Sequence, residues 1–224
     1  MDIVEPFCGS AVLSANLART SVLNDRDEFV CKILSRFDEL EVPEVFTQKD
    51  YARCRGLKDW WKYAYCLQKM GFSGVFRYSK NGYNVPVKPE VKKINVRKDY
   101  ELALRRWKKL KPTVLNQDYL ELPHGLIVGK LLILDPPYEE SQASYNANFN
   151  YDDYWQFVEK MKSVAAQILL FDRKVNLAKK GIPIIQTRKM RVNGARSGDT
   201  ESIALFSKGI WQEDLGFTIF GASE

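Results

Sequence analysis

Histidine is almost absent: one imidazole, His124, in 224 residues, and it sits in a Pro-His-Gly turn where a loop role accounts for it. Without a second, Ser-His-Asp and Cys-His mechanisms are nearly excluded. Cysteine is scarce as well. Cys8, Cys31, Cys54 and Cys66 show no close pairing, so neither a disulfide framework nor a zinc site is expected, and all four read as reduced thiols. No apolar run approaches the roughly 20 residues of a spanning helix, and nothing resembles a signal peptide. The expectation is a soluble cytoplasmic protein, bacterial or in a host cytoplasm if viral, with no membrane and no metal. Internal repeats, low-complexity stretches, the three-glycine dinucleotide fingerprint and a Lys-Ser/Thr phosphate loop are missing too.

A hydrophobic content of 45% is enough to bury a full core as one domain, or as one domain with a substantial insertion. The net charge is +6 with a pI near 9.0, and the excess is uneven. Between Tyr51 and Pro112 seventeen lysines and arginines face only Asp59, Glu90, Asp99 and Glu101. Such a surface suits a polyanion, since each neutralised phosphate releases counterion. A solvated helix face is the alternative. Aromatic residues interleave with the charges, among them Trp60, Trp61, Phe76, Tyr78 and Tyr83.

Hydrophobic spacing gives the order of elements. Asp2 to Glu5 reads as a strand, Ala11 to Arg19 as a helix, Ser21 to Leu23 as a strand ending in Asn24-Asp25, and Glu28 to Phe37 as an amphipathic helix. Within residues 39–112, Arg77 to Val85 reads as a hairpin with an Asn-Gly turn, and Glu101 to Leu110 as a helix. Strands follow at Thr113–Leu115, Leu131–Leu134, Ile168–Phe171, Pro183–Thr187 and Ser202–Phe206. Helices are expected at Tyr154–Ala166 and Val175–Lys180, and a polar loop at Glu139–Asn150. The alternation implies an α/β fold, a doubly wound, mostly parallel sheet carrying a basic, largely helical insertion with a β-hairpin. The units expected are 1–38 with 113–224, and 39–112.

Two strand ends carry the chemistry. Asp135-Pro136-Pro137-Tyr138 follows the buried run Lys130 to Leu134, and the prolines end the strand abruptly. A carboxylate, a rigid turn and an aromatic ring are thereby set at the carboxyl edge of an open α/β sheet, where ligands bind. Glu5-Pro6-Phe7-Cys8-Gly9-Ser10 is a strand-to-helix turn with a glycine where the backbone passes close to a ligand. Asp25, at the end of the second strand, is placed to accept from ribose hydroxyls. A nucleoside cofactor without a pyrophosphate cradle fits, and S-adenosylmethionine meets that description. Asp135 and the Pro136 carbonyl could then hold the exocyclic amine of a flipped-out adenine on which Tyr138 stacks. Displacement at a sulfonium needs no metal and no covalent intermediate, so positioning carries the rate.

These pieces resemble the adenine-N6 DNA methyltransferases of the Dam type. The likeness rests on Glu5 to Ser10, Asn24-Asp25, the hairpin Phe76-Arg77-Tyr78 with Gly82 to Pro86, Asn116 with Asp118-Tyr119, Asp135 to Tyr138, and the late Thr200 to Phe206 segment, in family order along nearly the whole chain. The resemblance implies a Rossmann-like methyltransferase fold that binds S-adenosylmethionine and methylates double-stranded DNA by base flipping, in restriction-modification, as a monomer. It implies a cofactor site of Glu5, Pro6, Phe7, Cys8, Gly9, Ser10, Asp25, Asp118 and Tyr119, with Asp118 beside the cofactor's adenine. Catalysis would lie at Asp135, Pro136, Pro137 and Tyr138. The insertion would recognise the target, with Arg77, Tyr78, Lys80, Asn81 and Asn84 reaching DNA.

The chain departs from the family in three places. Family members usually carry a Gly-x-Lys-like element ahead of the first strand, whereas this sequence starts on that strand, so one pocket wall would be missing or differently supplied. Ala11 stands where a second glycine is common, and Phe171-Asp172-Arg173 replaces a Ser-Asn-like pair. A catalytically impaired DNA-binding relative, or an enzyme acting on RNA or a protein amide, are the competing readings.

Overall fold

The computed structural model describes residues 2–17, 20–72, 76–137, 149–192 and 195–212. The chain divides into two compact units, Met1–Arg26 with Leu115–Glu224, and Asp27–Val114.

The first unit is built on one sheet. Its strands are β1 (Ile3–Glu5), β2 (Ser21–Asn24), β7 (Thr113–Leu115, whose last residue opens this unit's second segment), β8 (Leu131–Leu134), β9 (Gln167–Arg173), β10 (Gln186–Val192), β11 (Ala195–Ser207) and β12 (Ile210–Trp211). They run in the order β10-β11-β9-β8-β1-β2-β7, and β12 pairs with β11. β1 is parallel to β2 and β8, and β8 to β9. β11 runs antiparallel to β9 and β10. This is the mostly parallel, Rossmann-like sheet expected for a methyltransferase fold, and it has a crossover point: β1 has β2 on one side and β8 on the other. The crevice outside the carboxyl ends of strands at such a reversal is where open α/β sheets take their ligands.

Both faces of the sheet are covered, and the strands show it by alternation. Val4, Leu132, Leu134, Ile168, Leu170, Ala204 and Phe206 point into one core, closed by Tyr154, Trp155, Phe157, Val158 and Met161 of α6 (Tyr151–Met161). Ile3, Ile133, Leu169, Phe171, Ile203 and Leu205 point into the other, against Leu13 of α1 (Val12–Leu17). α7 (Lys174–Lys179) follows β9 and buries Leu177.

The second unit contains α2 (Glu28–Ser35), α3 (Gln48–Cys54), α4 (Ala64–Met70) and α5 (Arg97–Leu110), with the paired strands β3 (Phe46–Thr47) and β6 (Lys93–Ile94) and the hairpin β4 (Tyr78–Ser79) and β5 (Gly82–Tyr83). Its core is aromatic: Phe46, Tyr51, Trp60, Trp61, Tyr83 and Tyr100 are buried with Leu67, Met70 and Val85. The sequence reading grouped α2 with the first unit. In the structure the contacts of Phe29 and Ile33 are with this aromatic cluster.

Several boundaries differ from expectation for identifiable reasons. α6 begins at Tyr151 because the Asn150 side chain accepts from the Asp152 and Asp153 N–H groups at 2.9 and 3.3 Å, a cap within what reads as loop. α5 begins at Arg97, behind Val96, which makes no side-chain cap and so leaves no signal in sequence. β10 starts at Gln186 rather than Pro183, since proline lacks the ladder's donor. The hairpin connection is Lys80-Asn81, not Asn81-Gly82: Ser79 pairs with Gly82, and it is Gly82 that takes a positive φ of 102°. A Cβ on Gly82 would lie 2.1 Å from the Arg55 carbonyl oxygen, so close approach as well as φ demands glycine.

Candidate functional site

The turn after β1 is assembled from buried polar bonds. Glu5, 3% exposed, accepts the Ser14 N–H at 2.7 Å and so satisfies one orphan donor in the first turn of α1. Burial raises its carboxyl above the ordinary 4.5, and hydrogen bonds from Ser14 oppose the shift. The folded chain therefore holds this proton more tightly than the unfolded one. The stabilisation present below 4.5 is lost as pH rises through the raised value. Glu5→Gln keeps a carbonyl acceptor for Ser14 and is expected to flatten that loss. Urea midpoints from about pH 4 to about pH 8 check it, and an unchanged pH profile would sink it.

Beyond Glu5 the chain reverses through two left-handed residues, Gly9 at φ 46° and Ala11 at φ 53°. Ala11 carries a Cβ into that region, at roughly 1–2 kcal/mol, at the position where the family likeness has glycine. The turn is held by the Ala11 N–H on the Cys8 carbonyl at 2.6 Å and the Gly9 N–H on Asp25 Oδ2 at 2.9 Å. Glycine loop and strand-end carboxylate, expected as two halves of a cofactor pocket, are thus bonded to each other.

Asn24, which the sequence offers only beside Asp25 in the family likeness, locks the same edge. It is fully buried, and its Nδ2 donates to the carbonyls of Pro6 and Gln117, both at 3.0 Å. Its Oδ1 accepts the Gln117 N–H at 3.2 Å, and its backbone carbonyl accepts the Cys8 N–H at 2.9 Å. One side chain therefore ties the segments leaving β1, β2 and β7. Asn116 Nδ2 adds a bond to the Asp25 carbonyl at 2.9 Å. The signal available was a carboxamide ending a short strand whose middle residues, Val22 and Leu23, are apolar.

Asp118 caps a short 3₁₀ turn, Tyr119–Glu121, by accepting the Leu120 N–H at 3.0 Å, and lies 3.8 Å from the Arg26 guanidinium. That exposed ion pair is weak. Tyr119 is buried, and burial pushes its phenol up. Its ring lies 4.9 Å from that of Phe7, and Phe149 and Tyr154 approach Phe7 at 5.8 and 5.9 Å. Ser10 is exposed at the turn and Pro6 and Cys8 are buried beneath it.

At the end of β8 burial changes abruptly: Leu134 is buried, Asp135 exposed, Pro136 buried and Pro137 half-buried. The Tyr151 hydroxyl donates to the Pro137 carbonyl, fixing the turn from α6. Tyr138 lies outside the described residues. On the adjacent strand Asp172 is fully buried, its Oδ1 accepting from Arg173 N–H at 2.7 Å and Asn176 Nδ2 at 2.9 Å. Tyr154, a residue sequence reasoning passed over, is wholly buried with a hydroxyl that has no hydrogen-bond partner among the described residues. Burial, followed by the charges of Asp172 and Asp135, raises its phenol well above the ordinary range.

Of the hairpin residues expected to reach DNA, Arg77 and Asn84 bond each other, Arg77 Nε donating to Asn84 Oδ1 at 2.9 Å. Tyr78 donates to Asp27 Oδ1 at 2.9 Å, the same oxygen that caps α2 through Phe29 and Val30. Lys80 and Asn81 form the exposed tip. The hairpin is anchored by reciprocal bonds, Tyr83 N–H to the Arg55 carbonyl at 2.9 Å and Arg55 Nε to the Tyr83 carbonyl at 3.0 Å.

Among the described residues no cluster of histidine, cysteine and carboxylates is arranged to hold a metal, and no helix is long and apolar enough to cross a membrane. No family model and no curated protein matches the chain. Solved structures similar to it include a conserved hypothetical protein of Streptococcus pyogenes, at 12% identity over 93% of this chain and 86% of that one with a TM-score of 0.39. Escherichia coli yhhF, provisionally assigned as a methyltransferase, is similar at 11% identity over 95% and 77%, with a TM-score of 0.36. The rRNA methyltransferase aviRa of Streptomyces viridochromogenes is similar at 12% over 90% and 75%, with a TM-score of 0.38. At such identities and TM-scores the likeness extends to neither substrate nor site.

Proposed function

We propose that the protein is an S-adenosylmethionine-dependent methyltransferase acting on the N6 amine of a flipped-out adenine in double-stranded DNA. One observation carries the reading: at the point where the sheet order reverses, the turn after β1 is bonded through Gly9 to Asp25, and the neighbouring parallel strand β8 ends on exposed Asp135. The donor set fits the cofactor. Asp25 and Asp118 offer carboxylates for ribose hydroxyls and an adenine amine, and a Cβ at Gly9 would meet nothing within 4 Å, so the turn has open space above it.

When bound, S-adenosylmethionine supplies an electrophilic methyl carbon on a sulfonium. The chain's own part is to place the acceptor. Asp135 and the Pro136 carbonyl accept from the amine hydrogens and draw the nitrogen toward a pyramidal, more nucleophilic geometry. A carboxylate is a weak base beside the amine it faces, so the part proposed for Asp135 is to position first and to receive a proton late. The prolines, with Tyr151 on the Pro137 carbonyl, keep that carboxylate from swinging away. The second unit, with its lysines and arginines, would bind phosphates and present the hairpin.

Transfer of label from S-adenosylmethionine to duplex DNA, RNA and protein side by side tests this. Label on adenine N6 of DNA is the expected result. Label confined to RNA or protein replaces the substrate, and salt-sensitive DNA binding with no transfer replaces the enzyme by a binding protein.

A further inference from the structure

The second unit contains a groove of about 610 Å³ lined by Phe29, Leu57, Lys58, Trp60, Tyr78 and Lys80, among others. That volume is within the range of roughly 300–1,000 Å³ usual for ligand sites. Its aromatic members form one block: Phe29 and Trp60 are stacked at 5.2 Å, Phe29 and Tyr78 approach at 4.6 Å, and Trp60 and Tyr78 at 5.6 Å. The walls are pinned. Tyr78 is held by Asp27 at 2.9 Å, and the Arg55–Tyr83 pair fixes the segment before Gly56 to the hairpin. The rim is cationic and polar, with Lys58, Lys80 and Asn81 exposed.

We infer that this groove binds one unpaired nucleotide of a nucleic-acid partner, distinct from the base to be modified. The inference rests on the reading of the second unit as the nucleic-acid-binding part. Its chemistry selects the occupant. The half-buried rings of Phe29 and Tyr78, backed by buried Trp60, offer aromatic surface to the face of a base, which a duplex covers with its neighbouring base pairs and an unpaired nucleotide leaves open. Lys58 and Lys80 offer ammonium groups to the adjoining phosphates, and the Asn81 amide offers a donor and an acceptor to a base edge. An apolar peptide would leave both lysines without anionic partners.

Gly56 lines the groove, and a Cβ there would meet nothing within 4 Å, so Gly56→Trp starts its side chain in open space and is chosen to fill the groove. Fluorescence anisotropy of a labelled single-stranded oligodeoxynucleotide, and of the duplex it forms, is measured on the full chain with circular dichroism as the check on folding. Gly56→Trp is expected to weaken single-strand binding about 5- to 150-fold, the range for losing one stacked base, with a smaller change for the duplex. Lys58→Gln with Lys80→Gln is expected to lower the slope of log affinity against log salt by about 1.4, two single-strand phosphate contacts. Variants that match the wild-type chain in both measurements overturn the groove alone. A wild-type chain that binds neither oligonucleotide overturns the nucleic-acid reading with it. Competition by an acidic peptide at equal affinity in its place overturns the choice of occupant.

Discussion

Asp135→Asn is expected to lower single-turnover methyl transfer by about 10²–10³-fold while changing cofactor affinity by no more than about twofold, the pattern of a group that acts on the transition state. The carboxamide is nearly the same shape, so the β8 turn keeps its form. What goes is the charge that strengthens a hydrogen bond from the acceptor amine and later receives its proton. Half of the carboxamide also becomes a donor, facing an amine that is itself a donor. Rapid-quench measurement of labelled DNA, beside calorimetric titration with the cofactor, separates the two quantities. Equal losses in rate and cofactor affinity would place Asp135 in the cofactor pocket. An unchanged rate would remove it from catalysis altogether.

Asn24→Ala should be the most destabilising single change in the first unit, by about 3–5 kcal/mol. It strips partners from the buried carbonyl of Pro6 and from the part-buried carbonyl and N–H of Gln117, at about 1–3 kcal/mol for a buried group left unsatisfied and less where solvent reaches it. Asn24→Asp is expected to lose nearly as much, because an ionised carboxylate cannot donate to either carbonyl. Urea unfolding, with hydrogen exchange read separately in β1, β2 and β8, checks the size and place of the effect. An alanine variant within about 0.5 kcal/mol of the wild-type chain would mean that solvent or local relaxation replaces all three bonds.

The centre of the sheet was legible because β1, β8 and the middle of β9 are short and largely apolar on both faces, and the candidate site followed from where those strands stop; the polar β10 and the first half of β11 carry no such signal. Gly9 and Asp25 could be named separately, and their direct bond could not, since no local pattern encodes which strand end faces which turn. The bonds of Asn24 stayed hidden for the same reason: its partners lie 18 and 93 residues away. The hairpin was visible in Asn81-Gly82, but the connection shifted by one residue because a contact with Arg55 dictates where the glycine must fall. The Val96 end of α5 carries no cap, and Asn150 did its capping from within a stretch that composition marks as loop.

Gly82 has one further consequence. The hairpin's grip on its unit lies in the Arg55 and Tyr83 exchange, the Tyr78 bond to Asp27 and the absence of a Cβ at position 82, while Lys80 and Asn81 project beyond it. Anchor and tip are therefore independent in their tolerance of change. Any mutation at Gly82 meets a backbone wall, whereas side chains at 80 and 81 can be exchanged freely without loosening the attachment. A chain built this way can explore new binding preferences two residues at a time, with its architecture held constant by a residue that has no side chain to vary.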